Sequence, residues 1–262
     1  MFSLIDSYNP WLVGVVLNTV LLSATWIAIK KLLTTAGIFH AWLLGVLIWG
    51  TLGSSGYVVV MFYFLVGSGV TRIGKAQKEA EGIAEKRSGA RGPENVWGSA
   101  LTGTLCAIGI AIMNSELLPH PPTPLLPHSL LLGYVASFST KLSDTCASEV
   151  GKAYGKRTFL ITTLQPVARG TEGAVSLEGT LAGVVGSVAQ ALVGWGVGLI
   201  DLFGVLWCVL AALIATNVES VIGATLQSRY GWLTNELVNF VNTMIGAIAA
   251  MCLAWLWAST IA

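Results

Sequence analysis

Six stretches of about twenty mostly apolar residues, at 11–33, 96–114, 129–150, 178–199, 203–226 and 235–258, recur along the chain with polar segments between them. A helix of about 20 apolar residues crosses a bilayer core of about 30 Å, so each stretch is long enough to span one. Lipid offers no partner to an open backbone, and a helix satisfies its own hydrogen bonds. A further apolar stretch, 38–71, is too long for one ordinary span, and Gly53-Ser54-Ser55-Gly56 interrupts it near its middle. It reads as two short, tilted helices, 38–53 and 56–71, joined by a tight turn. The predicted fold class is therefore an all-α integral membrane protein, a polytopic bundle of about eight transmembrane helices, with seven as the alternative count. Residues 1–262 form a single transmembrane domain.

Charge agrees with this pattern. Only 10% of the 262 residues are charged and 54% are hydrophobic, whereas a soluble domain carries roughly 25% charge, which excludes an ordinary water-soluble enzyme. The 14 Lys and Arg against 13 Asp and Glu leave a net charge of +1, too little for a nucleic-acid partner. With the N-terminus outside, 13 of the 14 basic residues fall at cytoplasmic loops or span ends and Lys141 alone does not, as the positive-inside rule requires. Trp11, Trp42, Trp97, Trp232, Trp255 and Trp257 stand near span ends, where interfacial belts form. Cys106, Cys146, Cys208 and Cys252 lie in apolar runs without a C-x-x-C pair and read as buried reduced thiols. The start, MFSLIDSYNP, has neither the basic region of a signal peptide nor the Arg/Ser-rich character of a transit peptide, so the spans themselves are expected to anchor the chain.

Two cytoplasmic loops are long. Loop 72–97 holds six basic and four acidic residues, with Lys75 and Glu79 at helical i,i+4 spacing, and suits a solvated helix on anionic lipid or a cover for substrate. Loop 151–177 sets Lys152, Lys156, Arg157 and Arg169 against Glu172 and is rich in glycine, a composition suited to an anion. On the opposite side, 115–128 has no Lys or Arg and is proline-rich, as an extended, solvated cap would be.

An ionisable group inside a span costs on the order of 3 kcal/mol on insertion scales, so each needs a reason. Lys141, Asp144 and Glu149 lie in the fifth span, Glu178 opens the sixth, Asn217 and Glu219 lie in the seventh, and Asn235, Glu236, Asn239 and Asn242 begin the eighth. Most fall toward cytoplasmic helix ends and can line one polar site. Lys141, Asp144, Ser148 and Lys152 form one helical stripe, with Glu149 off it. Lys141 and Asp144 can neutralise each other, and the asparagines can bond between helices without any chemistry. Carboxylates gathered beside a basic, glycine-rich loop instead suit Mg²⁺ bridging phosphates, the carboxylates holding metal while lysines and backbone N–H groups hold phosphate oxygens. There is no Walker A motif: Gly151-Lys152-Ala153-Tyr154-Gly155-Lys156-Arg157 is one residue short and ends in Arg. Gly183 with Gly186, and Gly194 with Gly198, have a helix-packing explanation.

The string Asp144-x-x-Ala147-x-x-x-Gly151-x-x-x-Gly155-Lys156, followed by Glu178-Gly179-Thr180, resembles the CTP-binding signature of membrane prenol kinases such as dolichol and phytol kinases. The fuller run Ser143-Asp144-Thr145-x-Ala147-Ser148-Glu149-x-Gly151, with Gly170-Thr171-Glu172-Gly173-Ala174-Val175-Ser176-x-Glu178-Gly179-Thr180, resembles the related phytyl-phosphate kinase family of plants and cyanobacteria. Asn217-Val218-Glu219-Ser220 and Thr234-Asn235-Glu236-x-x-Asn239 continue the similarity, while Thr71-Arg72 and the stretch from Arg91 to Val96 match loosely.

The resemblance implies a kinase that transfers a phosphoryl group from a nucleoside triphosphate, CTP by analogy, to an isoprenyl monophosphate such as phytyl phosphate, giving the diphosphate for tocopherol and phylloquinone side chains. It assigns Asp144, Glu149 and Glu219 as catalytic Mg²⁺ ligands. Lys152, Gly155, Lys156, Arg157, Arg169, Gly170, Thr171, Glu178, Gly179 and Thr180 bind or shape the nucleotide site, and Lys141, Asn217, Glu236 and Asn239 form a polar wall. The expected partners are nucleotide, isoprenyl phosphate and membrane lipids, with homo-oligomers left open. The expected location is a bacterial or cyanobacterial plasma or thylakoid membrane, with the active site on the cytoplasmic side. Three alternatives stand beside this: a CTP-dependent lipid cytidylyltransferase, a kinase of the free prenol, and a secondary transporter.

Overall fold

The computed structural model describes residues 9–24, 26, 32–85, 89–115, 125–227 and 229–261. Among these, eight α-helices follow one another: α1 (Pro10–Ala24), α2 (Thr35–Thr71), α3 (Lys75–Ala80), α4 (Pro93–Met113), α5 (Leu125–Tyr154), α6 (Leu177–Gly196), α7 (Leu202–Ile222) and α8 (Asn235–Ile261). A π-helical turn, Gly223–Gln227, continues α7. Helices α2, α4, α6, α7 with its π turn, and α8 are long and apolar enough to cross a membrane. Helix α5 is as long as any ordinary span, at 30 residues, but its second half is polar.

Helix α2 settles the reading of 38–71. Straight, its 37 residues would reach about 55 Å, yet its two ends meet. Thr34, its N-cap, donates its backbone N–H to the Arg91 carbonyl at 3.0 Å, and Tyr63, in its last third, accepts from the Arg91 guanidinium at 3.1 Å. The fold-back occurs at Gly53, whose φ of 61° and ψ of −151° belong to a region essentially reserved for glycine. The two expected short helices are thus arms of one hairpin. Among the described residues, α1, both arms and α4 to α8 make eight helical segments. No atom lies within 4 Å of a Cβ built at Gly53, so Gly53→Ala carries a purely conformational cost. It is expected to lower stability by about 1–3 kcal/mol, read as a reduced unfolding temperature of the detergent-solubilised protein.

Helix α5 is the axis. It packs against α2, α4, α6, α7 and α8, and its Tyr134, Val135, Ala136, Phe138 and Leu142 are fully buried. The α5–α6 contact is close because small residues line α6: Cβ atoms at Gly179, Gly183 and Gly186 would stand 2.6–3.2 Å from carbonyl oxygens of α5. Tyr134 donates to the Gly56 carbonyl at 2.7 Å and Gln190 to the Val59 carbonyl at 2.9 Å, so buried polar groups pin the second arm of α2 to α5 and α6.

Loop 151–177 departs from an all-helical plan. It contains an antiparallel ribbon, β1 (Thr158–Leu160) with β2 (Ala174–Ser176), in which Phe159 faces Val175. Ser176 ends β2 and also caps α6, accepting the Gly179 N–H at 3.1 Å. The expected cap 115–128 falls largely outside the described residues, and α5 already begins at Leu125. Cys106, Cys146 and Cys208 are buried free thiols, but Cys252 is exposed on α8, which corrects its expected burial.

Candidate active site at the basic end of the bundle

The polar half of α5 points its side chains in two directions. On one side Lys141 donates to Asp144 at 2.5 Å and to the side-chain Oδ1 of Asn239 in α8 at 2.6 Å. Glu219 of α7 lies beside Asp144 and accepts from the Asn242 amide of α8. On the other side Glu149, almost fully buried, accepts from Lys78 of α3. Lys78 is itself 1% exposed and also donates to the Thr71 carbonyl at 3.0 Å. Asp144 and Glu149 stand about 140° apart around a helix that does not unwind between them. Each carboxylate therefore finds its own cation, and both cations are lysines.

The segment after α2 and the ribbon close over this end together. Arg169 donates to Glu81 at 2.6 Å and to the Ala153 carbonyl at 3.2 Å. Lys152 lies 3.5 Å from Glu85 and 3.7 Å from Glu149, and Gly170 packs so tightly on Ile83 that a Cβ would stand 2.6 Å from its methyl. Lys75 and Glu79, 3.7 Å apart and exposed, form the expected surface pair, which contributes little.

Beneath these segments lies a cavity of about 680 Å³. Of the expected site residues, Lys141, Asp144, Glu149, Lys152, Gly170, Thr171, Gly179, Thr180, Glu219, Glu236 and Asn239 line it. Gly155, Lys156, Arg157, Arg169, Glu178 and Asn217 do not. Gly155 is used in packing, where a Cβ would stand 2.5 Å from the Gly151 carbonyl. Lys156 and Arg157 are exposed on the turn into β1. Glu178 sits in the first turn of α6, where a carboxylate complements the helix dipole. Asn217 is exposed and donates back to the Leu213 carbonyl at 2.7 Å. Asn235, one of the asparagines expected to line a polar site, does so, whereas the sequence reading missed Arg91, Asn95 and Ser99 as lining residues and Lys78 as the buried partner of Glu149. The Asn235, Asn239, Asn242 stripe was the available sign that this face of α8 turns inward.

Among the described residues, no three His, Cys, Asp or Glu side chains come together as a metal-holding group. Asp144 and the Asn239 side-chain oxygen nevertheless hold the Lys141 ammonium, and Glu219 stands beside Asp144, so hard oxygen donors gather on one wall. Two carboxylates share that single positive charge, which is the donor chemistry that suits Mg²⁺. Glu149, held by Lys78, stands apart from them.

A family of integral membrane proteins, DUF92, matches residues 18–247. The chain belongs to the DUF92 family. The chain is 64% identical over 242 residues to the uncharacterized membrane protein sll0875 of Synechocystis sp., covering 92% of this chain and 90% of that one. It is 46% identical over 222 residues to the chloroplastic protein VTE6 of Arabidopsis thaliana, covering 84% of this chain and 64% of that one. It is 31% identical over 223 residues to the membrane protein MJ0933 of Methanocaldococcus jannaschii, covering 84% of each. No solved structure matches the chain.

Proposed function

We propose that this DUF92 protein is a membrane-bound kinase that moves the terminal phosphoryl group of CTP to an isoprenyl monophosphate such as phytyl phosphate, releasing CDP and the isoprenyl diphosphate. The observation that carries the proposal is the polar cavity of about 680 Å³ inside an apolar bundle, with Asp144, Glu219 and Lys141 on one wall and the glycine-rich ribbon on another. Its size is that of a small-molecule site. The signature residues shared with phytyl-phosphate kinases and the 46% identity to VTE6 support the choice of substrates.

Phosphoryl transfer asks chiefly for positioning and charge neutralisation. The acceptor phosphate is already an anionic nucleophile, so no strong general base is needed. Consistent with this, His40 lies at the start of α2, accepting from Trp97 at 2.9 Å, and His128 lies at the far end of α5. Mg²⁺, held by Asp144, Glu219 and Asn239, would neutralise triphosphate charge. Lys141 fixes the Asp144 carboxylate, and Gly170 to Gly173 line the same cavity, where backbone N–H groups would meet phosphate oxygens. The clasped segments above α5 exclude water from the transferred group. The basic end, in this reading, faces the cytoplasm of a cyanobacterial-type membrane, and the lipid tail stays in the bilayer.

Purified protein given radiolabelled CTP and either phytyl phosphate or phytol tests the proposal. Labelled CDP formed with phytyl phosphate, and little with phytol, is the expected result. Pyrophosphate release would replace the kinase with a cytidylyltransferase, and equal use of phytol would make the protein a prenol kinase.

A further inference from the structure

We propose that Arg91 is the phosphate-gripping residue of this cavity, a role that deepens the kinase reading and depends on it only for which phosphate is bound. Among the described residues, three cationic side chains line the cavity: Arg91, Lys141 and Lys152. Lys141 is engaged by Asp144 at 2.5 Å, and Lys152 lies between Glu85 and Glu149. Arg91 has no carboxylate within ion-pair distance among the described residues. A guanidinium at the wall of an apolar bundle without a counter-charge is unfavourable until an anion arrives.

Its position is fixed without that anion. The Arg91 backbone donates to the Leu32 carbonyl at 2.9 Å and accepts from the Thr34 N–H at 3.0 Å. The guanidinium donates to the Tyr63 hydroxyl at 3.1 Å and lies over the rings of Tyr63 and Phe64, 5.3 and 5.9 Å from their centroids. Stacking of this kind steadies the cation without neutralising it. Gly67 leaves it room, since a Cβ there would stand 3.1 Å from Nη2. A hydroxyl occupies one of five N–H donors, and the planar fork that remains matches two phosphate oxygens. A phosphate ester is the ligand chemistry, shared by the lipid headgroup and the nucleotide.

Equilibrium binding of phytyl phosphate, CTP and inorganic pyrophosphate to the detergent-solubilised full chain tests this, with phytol as the ligand lacking phosphate. Arg91→Met is expected to weaken at least one phosphate ligand by tenfold or more and to leave phytol unchanged. Arg91→Lys should recover only part of the loss, and Tyr63→Phe should weaken the same ligand several-fold. Loss confined to phytyl phosphate assigns Arg91 to the acceptor, and loss confined to CTP assigns it to the donor. Should Arg91→Met fail to fold, Arg91→Lys and Tyr63→Phe carry the same comparison. Unchanged phosphate affinities in the folded variants, or no phosphate binding by the wild type, overturn the proposal. Phosphate binding that depends on Arg91, without any phosphoryl transfer, would instead overturn the kinase reading and leave Arg91 in place.

Discussion

Lys78→Met is expected to destabilise the protein by about 3–5 kcal/mol, the usual result of removing one partner from a buried ion pair. Lys78 and Glu149 are each almost fully enclosed, with side-chain exposures of 2%. Without the ammonium, Glu149 keeps only Lys152 at 3.7 Å, and the Thr71 carbonyl loses its donor as well. The double variant Lys78→Met with Glu149→Gln removes the stranded charge and should recover most of the loss. Thermal unfolding in detergent measures both, and limited proteolysis of 72–92 reports whether α3 has come away from α5. A single variant that unfolds at the wild-type temperature would show that the pair holds nothing in place.

Asp144→Asn should have the opposite profile, lowering turnover by about 10²–10³-fold, as loss of a preorganised charge does, while the folded protein persists. The amide keeps the shape and can still accept from Lys141, which also retains Asn239 as an acceptor. What disappears is the negative charge that, with Glu219, sets the charge of the cavity wall. If Asp144 served only to neutralise Lys141, Lys141→Met combined with Asp144→Leu would restore the activity lost in the single variant. In the kinase reading that double variant stays inactive. CDP formation measured beside thermal unfolding separates the two cases.

Much of the architecture was legible because hydropathy acts over whole segments. Runs of twenty apolar residues and one glycine-bearing interruption each leave a mark in the sequence that tertiary contacts cannot erase. The site was legible where a stripe on one helix carried it, as for Lys141 and Asp144 or for Asn235, Asn239 and Asn242. It was not legible where partners meet across the chain. Lys78 stands in a stretch that looks like a solvated helix, and its partner Glu149 is 71 residues away. Lys156 and Arg157 were grouped with the cavity by charge, but a ribbon with three-residue strands decides which way they face, and so short a run shows no alternation. Gly173 belongs to the glycine string that suggested a phosphate cradle. Its φ is 75°, and a Cβ there would stand 2.5 Å from the Ser220 carbonyl and from the Ala224 methyl. Packing against the end of α7 already requires a glycine at that point, whatever the cavity binds.

The hairpin in α2 also bears on the lipid around the protein. Each arm has about eighteen residues and so extends about 27 Å, slightly less than a typical hydrocarbon core of about 30 Å, whereas α8 alone has 27 residues. The perimeter that the bilayer must match is thus short on the α2 side and long on the α8 side, and the cost of mismatch falls on the hairpin. Tyr63 and Phe64, which cradle the Arg91 guanidinium, are part of its second arm. The short arm of the perimeter is thus the same arm that holds the Arg91 guanidinium at the wall of the cavity.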